Sequence, residues 1–326
     1  MDPRPNSQRT ASHKPGLAVF TALGGLWVFV LVTLGAFTTS IGAGMAFPDW
    51  PLSNGSVNPK GWLEDVSMFA EHSHRLSGTL MGLISIVTVA WVWRKESRAW
   101  LRHLAVWALV IVIVQGLLGG TRVLLDAVHV PGFTMTLGQM LRIPHGVLAQ
   151  VYVCLVIAIA LGCSQTWIAH PPHLNRRIRR LGIFCCALLF VQLAVGATMR
   201  HNGAGLAILT FPHSTPEGHW LPATWDFRIG IHFAHRVMAA VLAIALPWFA
   251  FSIRRERAAP IAMRIAASTL LSLVVVQILL GMQIIESFRR AGVTTSHVVV
   301  GALLLATTFW ATWLAHRDAI EGKPAP

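Results

Sequence analysis

A chain of 326 residues that is 54% hydrophobic and only 12% charged, with a mean hydropathy of +0.60, lies outside the range of soluble globular domains and reads as an integral membrane protein. Its formal charge of +13 does not point to nucleic acid, because the basic residues gather at the ends of apolar runs, where they set topology. The four cysteines, Cys154, Cys163, Cys185 and Cys186, lie in or beside two neighbouring apolar runs, which excludes a disulfide in the outer loops and argues against a cysteine-ligated zinc or iron–sulfur site.

Eight apolar stretches come close to the ~20 residues that a spanning helix needs. They cover 17–38, 72–93, 103–122, 144–165, 181–199, 231–252, 265–285 and 294–315. The polar segment 1–16 carries Arg4, Arg9 and Lys14 and no apolar core of a cleaved signal peptide. A long loop, 39–70, follows the first span. The second span then opens with Glu71, His72, His74 and Arg75; ionisable groups at membrane depth usually face a protein interior and mark a site. Arg94, Lys95, Arg98 and Arg102 follow it. Segment 124–141 separates the third span from the fourth, which carries His145 near its start. Segment 166–180, with Arg176, Arg177, Arg179 and Arg180, leads to the fifth. Loop 200–229 precedes the sixth span, which carries His235 and Arg236 and is followed by Arg254, Arg255, Arg257 and Arg264. A short turn, 286–293, joins the seventh span to the eighth, where His297 lies near the start, and Arg317 and Lys323 end the chain. Every second junction is basic, so the positive-inside rule predicts a protein of the cytoplasmic membrane with both termini in the cytoplasm.

The chain is written twice. Residues 35–51, GAFTTSIGAGMAFPDWP, align without gaps on 196–212, GATMRHNGAGLAILTFP, at an offset of 161 that also carries His74-Arg75 onto His235-Arg236. An offset of 162 places VQGLLG (114–119) on VQILLG (276–281), and Gln192 with Gly196 repeats the same Q-x-x-x-G spacing. His145 then corresponds to His297. The expected fold is all-α integral membrane: eight transmembrane helices as two pseudo-symmetric parallel four-helix bundles, 17–165 and 181–315. A basic linker, 166–180, joins them, and cytoplasmic tails 1–16 and 316–326 flank them.

His74, His145, His235 and His297 fall at similar depth, toward the outer leaflet. Histidines on facing helices of a bundle can ligate one heme iron, and two per half fit two axial pairs, His74 with His145 and His235 with His297. Zinc wants three or four converging ligands, which two per half do not supply, and no Met or Cys stands at a copper spacing near them. His72 and His201, near the outer surface, gain no such support. Glycines at 78, 82, 119, 146, 196, 281 and 301 fit close heme contact or simple helix packing. Glu71 corresponds to His232 in the repeat, so only the first half has a carboxylate one turn before its histidine. That asymmetry fits a catalytic half beside an electron-supplying half, or an acidic residue stabilising a helix N-terminus. Arg75 and Arg236 fit forked donors to heme propionates, or interfacial anchors.

The E-x-x-H-R pattern at Glu71-His74-Arg75, the second H-R at His235-Arg236, His145, His297 and the duplicated GAGMAFPDWP and GAGLAI elements together resemble the heme A synthase family across all eight spans. The resemblance implies oxidation of a ring methyl of heme O to a formyl group, through hydroxylated intermediates, giving heme A for terminal oxidases. It implies that His74 and His145 hold the substrate heme O while Glu71 assists its oxidation. His235 and His297 would be the axial ligands of a heme b, with Arg75 and Arg236 at the cofactors. The implied partners are the lipid bilayer, a heme O synthase, an electron donor such as a quinol or a ferredoxin, and a second copy in a homo-oligomer. Some relatives carry a cysteine pair in an outer loop, which this chain lacks. The second PDWP-like element has become LTFP (209–212), so the two outer loops are not expected to do the same work. The rival class is a di-heme b membrane cytochrome exchanging electrons with quinol, which leaves Glu71 in one half unexplained. A transporter built from parallel repeats would place its polar site near the midplane.

Overall fold

The computed structural model describes residues 13–169 and 174–322. Arg4, Arg9, His170, His173 and Lys323 lie outside the described residues. Helix α1 (Pro15–Ser40) starts on a proline, whose fixed φ and missing N–H suit a first turn. Helix α2 (Val66–Lys95) is capped by Asp65, which accepts the Met68 N–H at 2.8 Å. After α3 (Ala99–Leu124), α4 (Leu137–Cys163) opens on a reciprocal capping box between Thr136 and Gln139. The short α5 (Gln165–Ala169) precedes α6 (Arg176–His201), and α7 (Phe227–Arg255) is capped by Asp226, which accepts the Ile229 N–H at 2.7 Å. Helices α8 (Ile261–Glu286) and α9 (Ala291–Ala315) and the short α10 (Arg317–Glu321) complete the chain. Among the described residues there is no strand, and eight helices are long and apolar enough to cross a membrane. The protein is an all-helical, multi-pass membrane protein.

Each helix starts ahead of the apolar stretch that announces it. The difference is largest where α2 and α4 begin, because Asp65 and Thr136 start those helices ahead of the polar residues that interrupt the hydropathy. His74, His145, His235 and His297 therefore lie roughly two turns inside their helices, about 9–12 Å from the first residue. The segment read as a linker, 166–180, is helical at both ends: α5 takes its start, and Arg176, Arg177, Arg179 and Arg180 form the first turns of α6.

Helices α1 to α4 close a ring in which each touches the next and α4 touches α1; α6 to α9 do the same. The rings meet through α1, α4, α6 and α9. Helices α4 and α9 are accordingly the most enclosed, with 56% and 50% of their apolar windows buried, against 17% for α3 and α8, which leave Ile113, Leu117, Ile265 and Leu279 on the outer surface. The four cysteines are free, and all but the half-buried Cys186 are buried.

The face that carries both chain ends is held by ions. Glu96, 3% exposed in the α2–α3 turn, receives Lys14 at 3.4 Å and Arg98 at 2.8 Å. Arg98 also donates to Glu321 of α10 at 3.0 Å, and Trp100 and Trp167 donate their indole N–H groups to the same carboxylate. Burial alone would raise the Glu96 carboxyl, but its hydrogen-bonded Arg98 and nearby Lys14 override this and hold it at about 2.

Candidate functional site

The four histidines each lie on a glycine of the preceding helix. His74 on α2 rests against Gly35 of α1, His145 on α4 against Gly119 of α3, His235 on α7 against Gly196 of α6, and His297 on α9 against Gly281 of α8. A Cβ at these glycines would stand 2.7, 3.2, 3.1 and 3.4 Å from the respective imidazole Cε1. At Gly35 only a hydrogen lets the ring sit so close; at Gly119 and Gly196 a methyl would be tight, and at Gly281 it would meet the ring in ordinary contact. Four residues before three of these glycines stands a glutamine. Gln115 donates to the His145 carbonyl at 2.9 Å. Gln192 donates to the His235 carbonyl at 3.1 Å, with its amide nitrogen 3.4 Å from the ring Nε2, and the Gln277 amide nitrogen lies 3.2 Å from His297 Nε2. The matching residue before Gly35 is Leu31.

Helices α2 and α4 are diagonal members of the first ring, and α7 and α9 of the second, so the histidines of each half face one another across a bundle core. The His235 and His297 ring centroids are 6.5 Å apart, with planes inclined at 53°. Two metal–imidazole bonds of about 2 Å, each extended by the roughly 1 Å from ring nitrogen to ring centre, would put two centroids about 6 Å apart across one metal. His74 and His145 lie within electrostatic range of each other. The Nδ1 of all four rings is buried without a partner, and buried polar atoms left this way ask for an explanation. Among the described residues no three His, Cys, Asp or Glu side chains converge on a metal position. A heme iron, already held by four porphyrin nitrogens and needing two axial donors, fits this paired set.

Glu71 and Arg75 face the loop that follows α1. The Glu71 carboxylate, 3% exposed, accepts the Phe47 N–H at 3.1 Å and Arg75 Nη2 at 2.7 Å. Arg75 also donates to the carbonyls of Phe47, Asp49 and Leu52 at 3.1, 2.8 and 2.6 Å. In the second half His232 takes the Glu71 place: its Nδ1 accepts the Ile208 N–H at 3.2 Å, which leaves the ring proton on Nε2, 3.2 Å from Arg236 Nε and in contact with it. Arg236 donates to the carbonyls of Ile208 and His213 at 3.1 and 3.2 Å. Phe47 and Ile208 are themselves partners in the repeat. The two loops are thus docked alike, because the contacts run to backbone atoms that the loop sequence does not alter. Asp49 additionally ties its own loop: the Gly55 N–H, with that of Asn54, lowers its carboxyl below the ordinary value.

Several residues join this region without a signal in the repeat. His72 is a loop anchor, its Nδ1 3.1 Å from Ser53 Oγ and its ring edge-on to Trp62 at 4.8 Å. Arg200 crosses from α6 to α1, donating to the Ala36 carbonyl at 3.1 Å and Ser40 Oγ at 2.8 Å. Arg122 donates to the Gly44 carbonyl, and Arg142 pairs with Asp126 at 2.7 Å. His201 lies within electrostatic range of Arg122, Arg142, Arg200 and His145. A cationic rim therefore gathers where the two rings meet on the loop side. The Q-x-x-x-G spacing was visible in the sequence, but not which side chain each glutamine would touch.

The fold and the site define a multi-pass membrane protein of duplicated sequence with histidines paired across two helical rings. The family model for Cytochrome oxidase assembly protein, COX15-CtaA, matches residues 18–309, and the chain belongs to this family. Relatives named Heme A synthase align along nearly the whole chain. That of Shouchella clausii is 28% identical over 296 residues, 90% of this chain and 92% of its own. That of Alkalihalophilus pseudofirmus is 24% identical, covering 93% and 98%, and that of Sphingopyxis alaskensis is 28% identical, covering 97% of both chains.

Proposed function

We propose that this protein is a heme A synthase, a membrane oxidoreductase that oxidises a ring methyl of heme O to a formyl group and so supplies heme A for cytochrome oxidase assembly. The observation that carries the reading is the pair of diagonal histidine sets in a chain of this family, with a carboxylate beside only one of them.

In this reading the half 17–165 is the substrate half and 181–315 the heme b half, joined by 166–180, with both chain ends and the basic junctions in the cytoplasm. His74 and His145 hold the substrate heme, and Glu71 acts at its reacting edge. His235 and His297 hold heme b, which when bound supplies an electron-transfer centre. Arg236, with donors to spare beyond Ile208 and His213, reaches a propionate; Arg75 has only Nε left after its loop contacts and acts more by fixing the loop over the heme edge. Heme O arrives from a heme O synthase in the same bilayer, electrons pass to or from a quinol or a ferredoxin, and copies of the chain associate as a homo-oligomer.

Extraction and chromatography of the hemes from protein expressed with and without a heme O supply tests the reading. Heme b throughout, joined by heme O or heme A only when heme O is supplied, is the expected result. Heme b alone at two per chain under both conditions would make the protein a di-heme cytochrome. His235→Ala and His297→Ala should each abolish the low-spin heme b spectrum. Glu71→Ala removes both a charge and a loop contact, whereas Glu71→Gln keeps an oxygen for the Phe47 N–H. Heme b retained with no heme A formed in both variants is expected; full activity in Glu71→Gln would reduce Glu71 to a loop anchor.

A further inference from the structure

Where α6 begins beside the end of α7, Arg176, Arg177 and Arg180 line a groove with Leu181, Phe184 and Trp248. The three arginines are exposed, and among the described residues no carboxylate pairs with them. Spacings of three and four put their charges on one helical face, where like charges repel, and an anion seated among them relieves that repulsion. Arg177 lies over Trp248, its guanidinium carbon 5.5 Å from the ring centre. Phe184 and Trp248, each 49% exposed, carry the apolar wall along the helices, Phe184 standing about 12 Å from Arg176 along α6.

Topology needs basic residues at this end of the helices but not a groove with an aromatic wall. Of the cations at the α7–α8 junction, Arg254 donates to Ser268 and Arg264 to the carbonyls of Glu256, Arg257 and Ala259, so both are occupied. The repeat supplies a second comparison. The offset of 161 carries Arg176, Arg177, Arg180 and Trp248 onto Pro15, Gly16, Val19 and Val87, so the same place in the first half has neither the charges nor the indole. The cation beside it, Lys14, is already paired with Glu96.

We propose that this groove binds one anionic phospholipid, its phosphate held by Arg176, Arg177 and Arg180 and an acyl chain laid along Phe184 and Trp248. Forked guanidiniums match phosphate oxygens, and basic pockets between membrane helices take anionic headgroups. The wall of Leu181, Phe184 and Trp248 selects a phosphate that carries a chain, for which a free phosphate has no use. The site is independent of the heme reading, since it lies at the opposite end of α6 from Gly196, on which His235 rests.

The test is native mass spectrometry of the purified full chain, released from nonionic detergent after mixing with phosphatidylglycerol, phosphatidylcholine or inorganic phosphate. One phosphatidylglycerol per chain should survive activation that strips phosphatidylcholine. Arg177→Gln combined with Arg180→Gln should weaken that binding about 10-fold or more. Arg254→Gln with Arg255→Gln, which removes the same charge from the end of the neighbouring helix, should leave it unchanged. Trp248→Leu keeps every charge and should weaken it roughly 3-fold, and it decides alone if the arginine variant fails to accumulate. Equal retention of phosphatidylcholine, or equal weakening by both arginine pairs, would overturn the proposal. So would wild-type retention in Trp248→Leu, which would leave charge alone at work, and so would displacement of the lipid by inorganic phosphate at the same concentration, which would make the groove a plain anion site.

Discussion

The contact between a glycine hydrogen and an imidazole is the smallest feature on which the site depends. The series is graded: an added methyl would stand 2.7 Å from the His74 ring, 3.1 Å from His235 and 3.4 Å from His297. Only the last distance is ordinary van der Waals contact, and overpacking elsewhere costs about 1–3 kcal/mol, an order of magnitude in binding. Gly196→Ala should lose most of the bound heme b in detergent while Gly281→Ala keeps it, measured as heme per polypeptide. Equal losses would mean that helix approach, not the ring contact, sets the requirement. The histidines themselves were legible in the sequence, because a repeat places the same residue type at equivalent positions of helical runs. The glutamines were only half legible: their spacing repeats, but whether the amide meets a ring nitrogen or a carbonyl depends on side-chain geometry that spacing does not carry.

Among the elements, the helices were easy to find and their outer ends hard to place. Hydropathy falls at Glu71, His72 and His74, yet α2 starts at Val66, since an Asp65 cap and a protein-facing helix tolerate polar residues that a lipid-facing one does not. The docking of the loops was hidden for a related reason. Glu71 and His232 differ in charge, but each accepts a loop N–H and lies against an arginine, so chemically unlike residues fill one structural place. His232→Ala leaves the buried Ile208 N–H without an acceptor, at a cost of about 1–3 kcal/mol. Loop 202–226 should then be cut faster by protease added to proteoliposomes, with the helical circular dichroism intact, and His232→Glu should restore protection. Unaltered cleavage in His232→Ala would mean that Arg236 alone holds the loop.

At the scale of the whole molecule the two faces are built for different purposes. The loop face holds the histidines, the docked loops and the cationic rim where the rings meet. The opposite face is locked: Glu96 joins Lys14 and Arg98, and Arg98 reaches Glu321, so the end of the chain is tied back to the α2–α3 turn. Because burial would otherwise raise the Glu96 carboxyl and its cations hold it at about 2, below the ordinary 4.5, its contribution is fully present above pH 4.5. That contribution, at most roughly 3 kcal/mol, is lost as pH falls through about 2. Glu96→Gln should therefore lower the Tm in detergent at pH 7, and the gap to wild type should narrow steadily as the pH is brought from 4.5 toward 2. A gap that stays constant with pH would show that the carboxylate charge does not set the difference. Bound heme b should change little in this variant at pH 7, since the locked face lies at the far end of the helices from the histidine pairs.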